Sequence, residues 1–356
     1  MTDRRKAFKL IRIGVMLALL AFILVCRYSP QTGEFYARQI YPAVSASLSA
    51  FSSLFPFPLM EFVVIAMAVS LVAVPVIVFR RNLKSPWKNV VVREAELIVW
   101  IYVWFYIGWG NNYFRQSIYE RMDKEPAGFD EVKFRDFLCR YSDSLNFYYT
   151  AQDVVLPEVL KEAVHKFYES VPVEAGLAQP RKWQEPKSFV FTSLYSGVGV
   201  SGSMAPFTGE SLLNSDLCDV ERPFTYAHEF SHLMGVSSEA EANYWAYCFC
   251  IGADIPALKY SGYYSLLPYV MSNASVLGEK DYKAWVSGIR PEVLAQFRQR
   301  SVFWKSRELP AVNAVQTVLY DAFLKGNRIS DGTRNYSQVI SLILSLKDVE
   351  SHSRCF

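Results

Sequence analysis

His228, Glu229 and His232 stand in the string His-Glu-Phe-Ser-His, a spacing able to hold a divalent metal ion beside a carboxylate base. On a helix, positions i and i+4 project from one face. Both imidazoles then reach the same ion, with Glu229 beside that face and within reach of its water. Half of the chain's four histidines sit in this motif. The plainer reading is a buried helix whose histidines satisfy local hydrogen bonds beside Tyr226, Phe230 and Leu233; spacing and context favour the metal.

Both ends of the histidine helix are marked. Pro223 suits a first turn, where a missing N–H costs nothing, and Gly235 suits the residue past the end, where positive φ is cheap. A hydrolytic zinc site needs a third protein ligand and an open fourth position. The next acids are Glu239 and Glu241, at the start of a second helix that Ser238 would cap. A capping box engages Glu241 with the Ser238 backbone and leaves Glu239 to face the metal. The two carboxylates lie about 200° apart on a helix, so only one can point there. Glu239 is preferred and Glu241 stays the alternative, with Asn243 a candidate hydrogen-bond partner for the site.

These residues resemble the gluzincin type of zinc peptidase, with Glu239, Ala242 and Asn243 in the matching places of its E-x-x-A-(D/N) pattern. The interval is short for that group, and Gly235 would turn the chain as the glycine of HExxHxxG does in metzincins; Ser238 stands where a metzincin carries its third histidine. A closer resemblance is to a family of bacterial membrane proteins of unassigned function, domain of unknown function 3810. It rests on FPFPLMEF at the start of the second apolar segment, PFTGE at 206–210, HEFSHLMG with SEAEAN, and YDAFLKG at 320–326. The resemblance implies several N-terminal membrane helices and a C-terminal, zincin-like zinc hydrolase, and supplies no substrate.

Hydrophobic residues are 51% and aromatics 15% of the 356 residues, so the chain is more apolar than an ordinary globular protein. The first hundred residues are the reason. After Arg4, Arg5, Lys6, Lys9 and Arg12 comes an uncharged run from Ile13 to Cys26 with no small-residue cleavage site behind it, which predicts an uncleaved anchor near 10–26. A second span is expected at 59–79, ending in Arg80, Arg81 and Lys84, and a third near 95–112, around Trp100, Trp104 and Trp109. Counting Lys and Arg in the flanks puts the N-terminus and the 80–93 loop in the cytoplasm and 27–57 outside. Three spans of a bacterial inner membrane then deliver residues 113–356 outside. If 97–110 packs instead as a core or interfacial helix, the motif domain stays cytoplasmic. Segment 27–57 reads equally as an interfacial helix around Tyr28, Phe35, Tyr36, Ile40 and Tyr41 or as a connector packed on its neighbours.

The expected architecture is thus an α-helical membrane anchor, 1–112, followed by a mainly α, α+β metallohydrolase domain with a small sheet, 113–356. Helices are predicted at 129–145, from Pro157 through Tyr168, at 278–300, at 310–325 and at 337–346. His165 reads as structural and Met271 as core. Ser188–Leu194 alternates like a strand, and 198–214 is a candidate edge strand for binding extended substrate. Gly197, Gly199 and Gly202 spell GxGxxG, yet no βαβ unit surrounds them, so a dinucleotide loop is not indicated. Cys139, Cys218, Cys248, Cys250 and Cys355 are odd in number with no CxxC pair. A formal net charge of +3, much of it at the N-terminus, gives no field for nucleic acid.

The chemistry expected is hydrolysis of a peptide bond, with Zn²⁺ on His228, His232 and Glu239 and with Glu229 as general base. Tyr195, Tyr244 and Tyr247 are candidates for stabilising the oxyanion. The lipid bilayer is one partner, and the peptide or protein substrate is unspecified. Two other readings remain: a catalytically silent membrane-tethered binding protein, and a zinc hydrolase of non-protein envelope amides.

Overall fold

The computed structural model describes residues 3–81, 85–150, 154–310, 312–314, 318, 326–327 and 338–346. Its first part runs α1 (Asp3–Tyr28), α2 (Pro30–Phe35), a π-helical turn (Tyr36–Ile40), α3 (Tyr41–Ser52), α4 (Leu59–Arg80) and α5 (Pro86–Gly108). A 3-10 stretch, Gly110–Phe114, leads to α6 (Ile118–Arg121), α7 (Glu131–Phe147) and α8 (Pro157–Glu169). Then come β1 (Lys187–Ser188), α9 (Thr192–Gly197), β2 (Gly202–Ala205) and β3 (Glu210–Leu213). The described residues beyond these are mainly helical: α10 (Arg222–Leu233), α11 (Glu239–Gly252), α12 (Pro256–Ala274), α13 (Glu279–Ser287), α14 (Pro291–Arg307) and a further helix, Val339–Leu346. The protein is mostly helical with one small sheet.

The sheet has the order β1-β3-β2. β1 is parallel to β3, and β2 is antiparallel to it with Gly202 opposite Leu213 and Ala205 opposite Glu210. β2 is therefore an edge. Helix α10 contacts both of these strands and also packs on α11 and α12. Helix α11 is buried without a break from Ala240 to Cys250, as its lack of a polar face predicts. Trp245 at its centre is fully buried beside Phe249, and its truncation to alanine would cost about 3–5 kcal/mol.

Two helices among the described residues are long and apolar enough to cross a membrane, Lys6–Tyr28 and Leu59–Arg80, and few residues of either are buried. The third span expected at 95–112 does not form on those terms. Its helix starts earlier, at Pro86, stops at Gly108, and carries Lys88, Arg93, Glu94 and Glu96 in its first half. Its second half is not a free apolar surface either, because Val103, Tyr106 and Gly108 are buried.

Segment 27–57 is divided: Tyr28 and Phe35 are exposed, whereas Tyr36 and Tyr41 take the packed alternative. Tyr36 and Tyr41 are fully buried in the same core as Phe230 and Trp245. Its serines form a buried face, with Ser49 Oγ accepting from Trp183 Nε1 and Gln184 Nε2 at 3.1 Å each. The strand expected over 188–194 is cut to Lys187–Ser188. The Val190 and Phe191 N–H groups donate instead to the Glu61 carboxylate, at 2.8 and 3.0 Å, and α9 begins directly after. Most of the expected 310–325 helix, including most of YDAFLKG, lies outside the described residues, as does Cys355. Among the described residues Cys26, Cys139, Cys218, Cys248 and Cys250 form no disulfide.

Candidate metal centre

The close approach of Glu239 to the histidines begins with the end of α10. Gly235 has φ +97, its N–H donates to the His232 carbonyl at 3.0 Å, and the Val236 N–H donates to the Ser231 carbonyl at 3.1 Å. This is a Schellman closure, which reverses the chain within three residues. A side chain at 235 would also meet the Tyr41 ring at 3.2 Å. Carbonyls of the last turn are also held from outside: Trp109 Nε1 donates to His232 O and the Tyr41 hydroxyl to Leu233 O, both at 2.8 Å. Arg115 donates to Gly235 O at 3.2 Å and is itself fixed by the Glu34 carboxylate at 2.8 Å. Burial raises the Glu34 carboxyl, but the bond and charge of Arg115 outweigh it, and the net shift is downward.

The reversal brings the Val236 carbonyl over His232, whose Nδ1 donates to it at 2.8 Å. Nε2 therefore faces inward. His228 Nε2 lies 3.2 Å from His232 Nε2, and Glu239 Oε2 lies 3.2 Å from the first and 3.6 Å from the second. These distances are informative. A tetrahedral ion with bonds of about 2.0 Å sets its ligand atoms about 3.3 Å apart. The three groups offer one atom each, all within 4.8 Å of one another, and two imidazoles with one carboxylate are a donor set that suits a divalent ion. Burial alone would lower the His232 pKa, but the Glu239 charge and hydrogen bond raise it to about 9. Burial alone would raise Glu239, and the two imidazoles pull it well below its ordinary value.

Ser238 caps α11 by accepting the Glu241 N–H at 3.3 Å, but the reciprocal half of the capping box is replaced. The Glu241 carboxylate turns away from the trio to Arg121, 2.5 Å off, and accepts Trp245 Nε1 at 3.1 Å. Both partners of the ion pair are buried, and the Arg121 guanidinium also donates to the Ala175 carbonyl. Glu239 and Glu241 thus diverge as their 200° separation requires.

Glu229 is buried at the edge of β2. Burial raises its pKa, against the pull of His228 and His232, and its carboxylate accepts the Met204 N–H. A Cβ at Gly202 would stand 2.7 Å from Glu229 Cγ and 2.8 Å from Oε1, so the third glycine of GxGxxG is the space this carboxylate occupies. The trio and Glu229 open on a cleft of about 590 Å³ walled by α10, α11, the 198–204 segment and the end of α5. Of the tyrosines singled out in the sequence, Tyr195 lines this cleft, whereas Tyr244 and Tyr247 are core residues. Tyr113 and Tyr269 line it instead. Burial and then the Glu239 charge raise both phenols, so they stay protonated. No local pattern marks them, since each comes from an element joined to the motif only by folding. Asn243 interacts with the Tyr269 hydroxyl. His165 packs on Phe230 with Nε2 donating to Gln184 O at 2.9 Å.

Residues 36–344 match the family described as a protein of unknown function, DUF3810, and the chain belongs to that family. The match begins beyond α1, and the description carries no activity. No curated protein and no solved structure matches the chain.

Proposed function

We propose that this protein is a membrane-bound, zinc-dependent peptidase with His228, His232 and Glu239 as metal ligands and Glu229 as general base. The observation that carries the reading is the convergence of three inward ligand atoms at near-tetrahedral spacing beside a buried carboxylate, in one cleft. Zinc bound there would act as a Lewis acid on water and on the scissile carbonyl. Glu229 takes the proton of the attacking water on its carboxylate and delivers it to the departing amine nitrogen; its burial, which raises its pKa, suits it to both transfers. Tyr113 and Tyr269 donate from their protonated hydroxyls to the oxygen that gains charge. Edge strand β2, beside Glu229, offers backbone groups to an extended peptide.

One contact supports the membrane topology proposed with it. The connector between α1 and α4 packs on the motif helix through Tyr41, so connector and cleft share one side. If α1 and α4 both cross, α5, which is not apolar enough to span by itself, must bring the chain back packed against them. Its contacts with both helices support this, and Arg12 of α1 pairs with Glu96 of α5 at 2.8 Å, offsetting charge within the crossing. Basic residues at the N-terminus and around the α4–α5 turn then make that end cytoplasmic and the cleft extracytoplasmic.

The test is zinc content and peptide-library cleavage by the full chain, because Tyr36 and Tyr41 of the α1–α4 connector share one core with the motif helix. Glu229→Ala should keep zinc and lose at least about 10³-fold in cleavage, a loss typical of a removed general base. Zinc-loaded wild type that leaves every peptide intact while cleaving an envelope amide would overturn the peptidase assignment.

A further inference from the structure

Two motifs about 150 residues apart in the sequence close on each other at the outer end of α4. Glu210, the last residue of Pro-Phe-Thr-Gly-Glu, accepts the N–H groups of Leu59 and Met60 at 3.0 Å each and so caps that helix. Thr208 and Lys187 hold the same carboxylate at 2.7 Å, and Lys187 also reaches the carbonyls of Ser52 and Phe57. In the other direction Glu61, on the first turn of α4, accepts the backbone of Val190 and Phe191. Met60 packs on Phe189, Ala205 and Leu212, and Phe189 stacks on Tyr195 at 3.8 Å. Tyr195 is a wall of the cleft. The strand side of the site is therefore fixed to the end of a membrane helix by two buried carboxylates.

Around this joint the surface is apolar. Phe51 is 60% exposed and Leu54 74%, with Phe57, Trp183, Phe191 and Leu194 also open. The rings of Phe51, Phe55, Phe57 and Phe62 follow one another at 5.1–5.7 Å, so the rim runs without a gap into the exposed apolar surface of α4. Contiguous apolar surface of this kind needs a cover. Continuity with α4 identifies it as the bilayer interface, where aromatic side chains gather. Tyr195 is four residues beyond Phe191 in sequence, roughly 6 Å at helical rise, so the cleft opens close above this rim.

We infer that the rim sits in the interfacial layer and that the cleft takes polypeptide as it leaves the bilayer, the stretch adjoining a membrane-spanning segment of another protein. This rests on the peptidase reading and names its substrate class. At about 3.3 Å per extended residue, a cleft wall roughly 6 Å from the rim is reached within the first few residues beyond the membrane surface.

Full-length protein is reconstituted in nanodiscs with a reporter that carries one membrane-spanning helix followed by a randomised eight-residue segment and a tag. The segment is placed directly after the helix or behind a flexible spacer of thirty residues, and the same library is supplied as free peptide. Cleavage directly after the helix should exceed the other two formats at least tenfold in kcat/KM. Phe51→Asp with Leu54→Asp should erase that preference and leave free-peptide cleavage unchanged. Equal rates in all three formats, or a preference that survives in the double variant, would overturn the inference while leaving the peptidase reading intact. Absence of cleavage in every format removes both.

Discussion

Glu239 and Glu241 stand two residues apart, and exchanging each for glutamine should produce opposite failures. Glu241 is the counter-charge of a buried guanidinium: the Arg121 side chain is 1% exposed, that of Glu241 6%, and their contact is 2.5 Å. Glu241→Gln keeps an acceptor for Trp245 Nε1 but strips the charge, and leaving one partner of a buried ion pair costs about 3–5 kcal/mol. At about 2 °C per kcal/mol for a unit of more than 200 residues, the unfolding midpoint should fall by about 6–10 °C. Zinc should still bind at one equivalent below that midpoint, because the Glu241 carboxylate points away from the trio. Glu239→Gln should bind no zinc, since the one anionic donor is gone. Differential scanning fluorimetry in detergent and metal analysis of the same samples read both effects. Arg121→Met combined with Glu241→Met should recover at least half of the lost stability, because the buried charge leaves with its partner. A Glu241→Gln midpoint within 2 °C of wild type, or loss of zinc from Glu241→Gln and not from Glu239→Gln, would refute the division of roles.

Three further outcomes follow from the same geometry. Gly202→Ala brings a Cβ to 2.7 Å from Glu229, where ordinary contact is 3.4–4 Å, so the carboxylate must move by about 1 Å; kcat should fall about 10²-fold with zinc stoichiometry and unfolding midpoint unchanged, and an unaltered kcat contradicts the assignment of the base. Because Glu239 raises His232 to about 9, zinc must displace a proton at neutral pH, and chelator competition at pH 6.5 and 7.5 should show affinity rising by up to about tenfold, whereas equal affinities would exclude that exchange. Burial depresses the His165 pKa, so the neutral ring's contribution to stability is complete above the unfolded value of about 6.5 and is lost as pH falls below it; the stability difference between wild type and His165→Phe should narrow from pH 7.5 to 5.5, and a widening difference reverses the sign of the argument.

The clustering of His228, His232 and Glu239 was legible because its geometry is local: His228 and His232 share a helix face by spacing, and Pro223 and Gly235 bound the helix that carries them. Capping logic left Glu239 facing the site, although the partner that removes Glu241 is Arg121 rather than its own N-cap backbone. What the sequence hid is what distant segments supply. The serines of 45–52 read as featureless small residues, yet Ser45, Ser49 and Ser52 form a buried face. Alternation at 188–194 suggested a strand, but Glu61, more than 120 residues earlier, takes two of its N–H groups and ends the ladder. Gly202 appeared as part of a nucleotide-loop pattern and is instead the gap that admits Glu229. The third apolar segment was read from its tryptophans, while Arg93, Glu94 and Glu96 lie in the same helix, and Trp109 ends as a donor to His232 O.

X-ray absorption at the zinc edge, on the full chain loaded with one equivalent of zinc, tests the centre most directly. Two imidazole nitrogens and carboxylate oxygen are expected at about 2.0–2.2 Å, with no sulfur shell at about 2.3 Å and with one imidazole lost in His228→Ala. A sulfur shell, or a spectrum unchanged by His228→Ala, would contradict this ligand set.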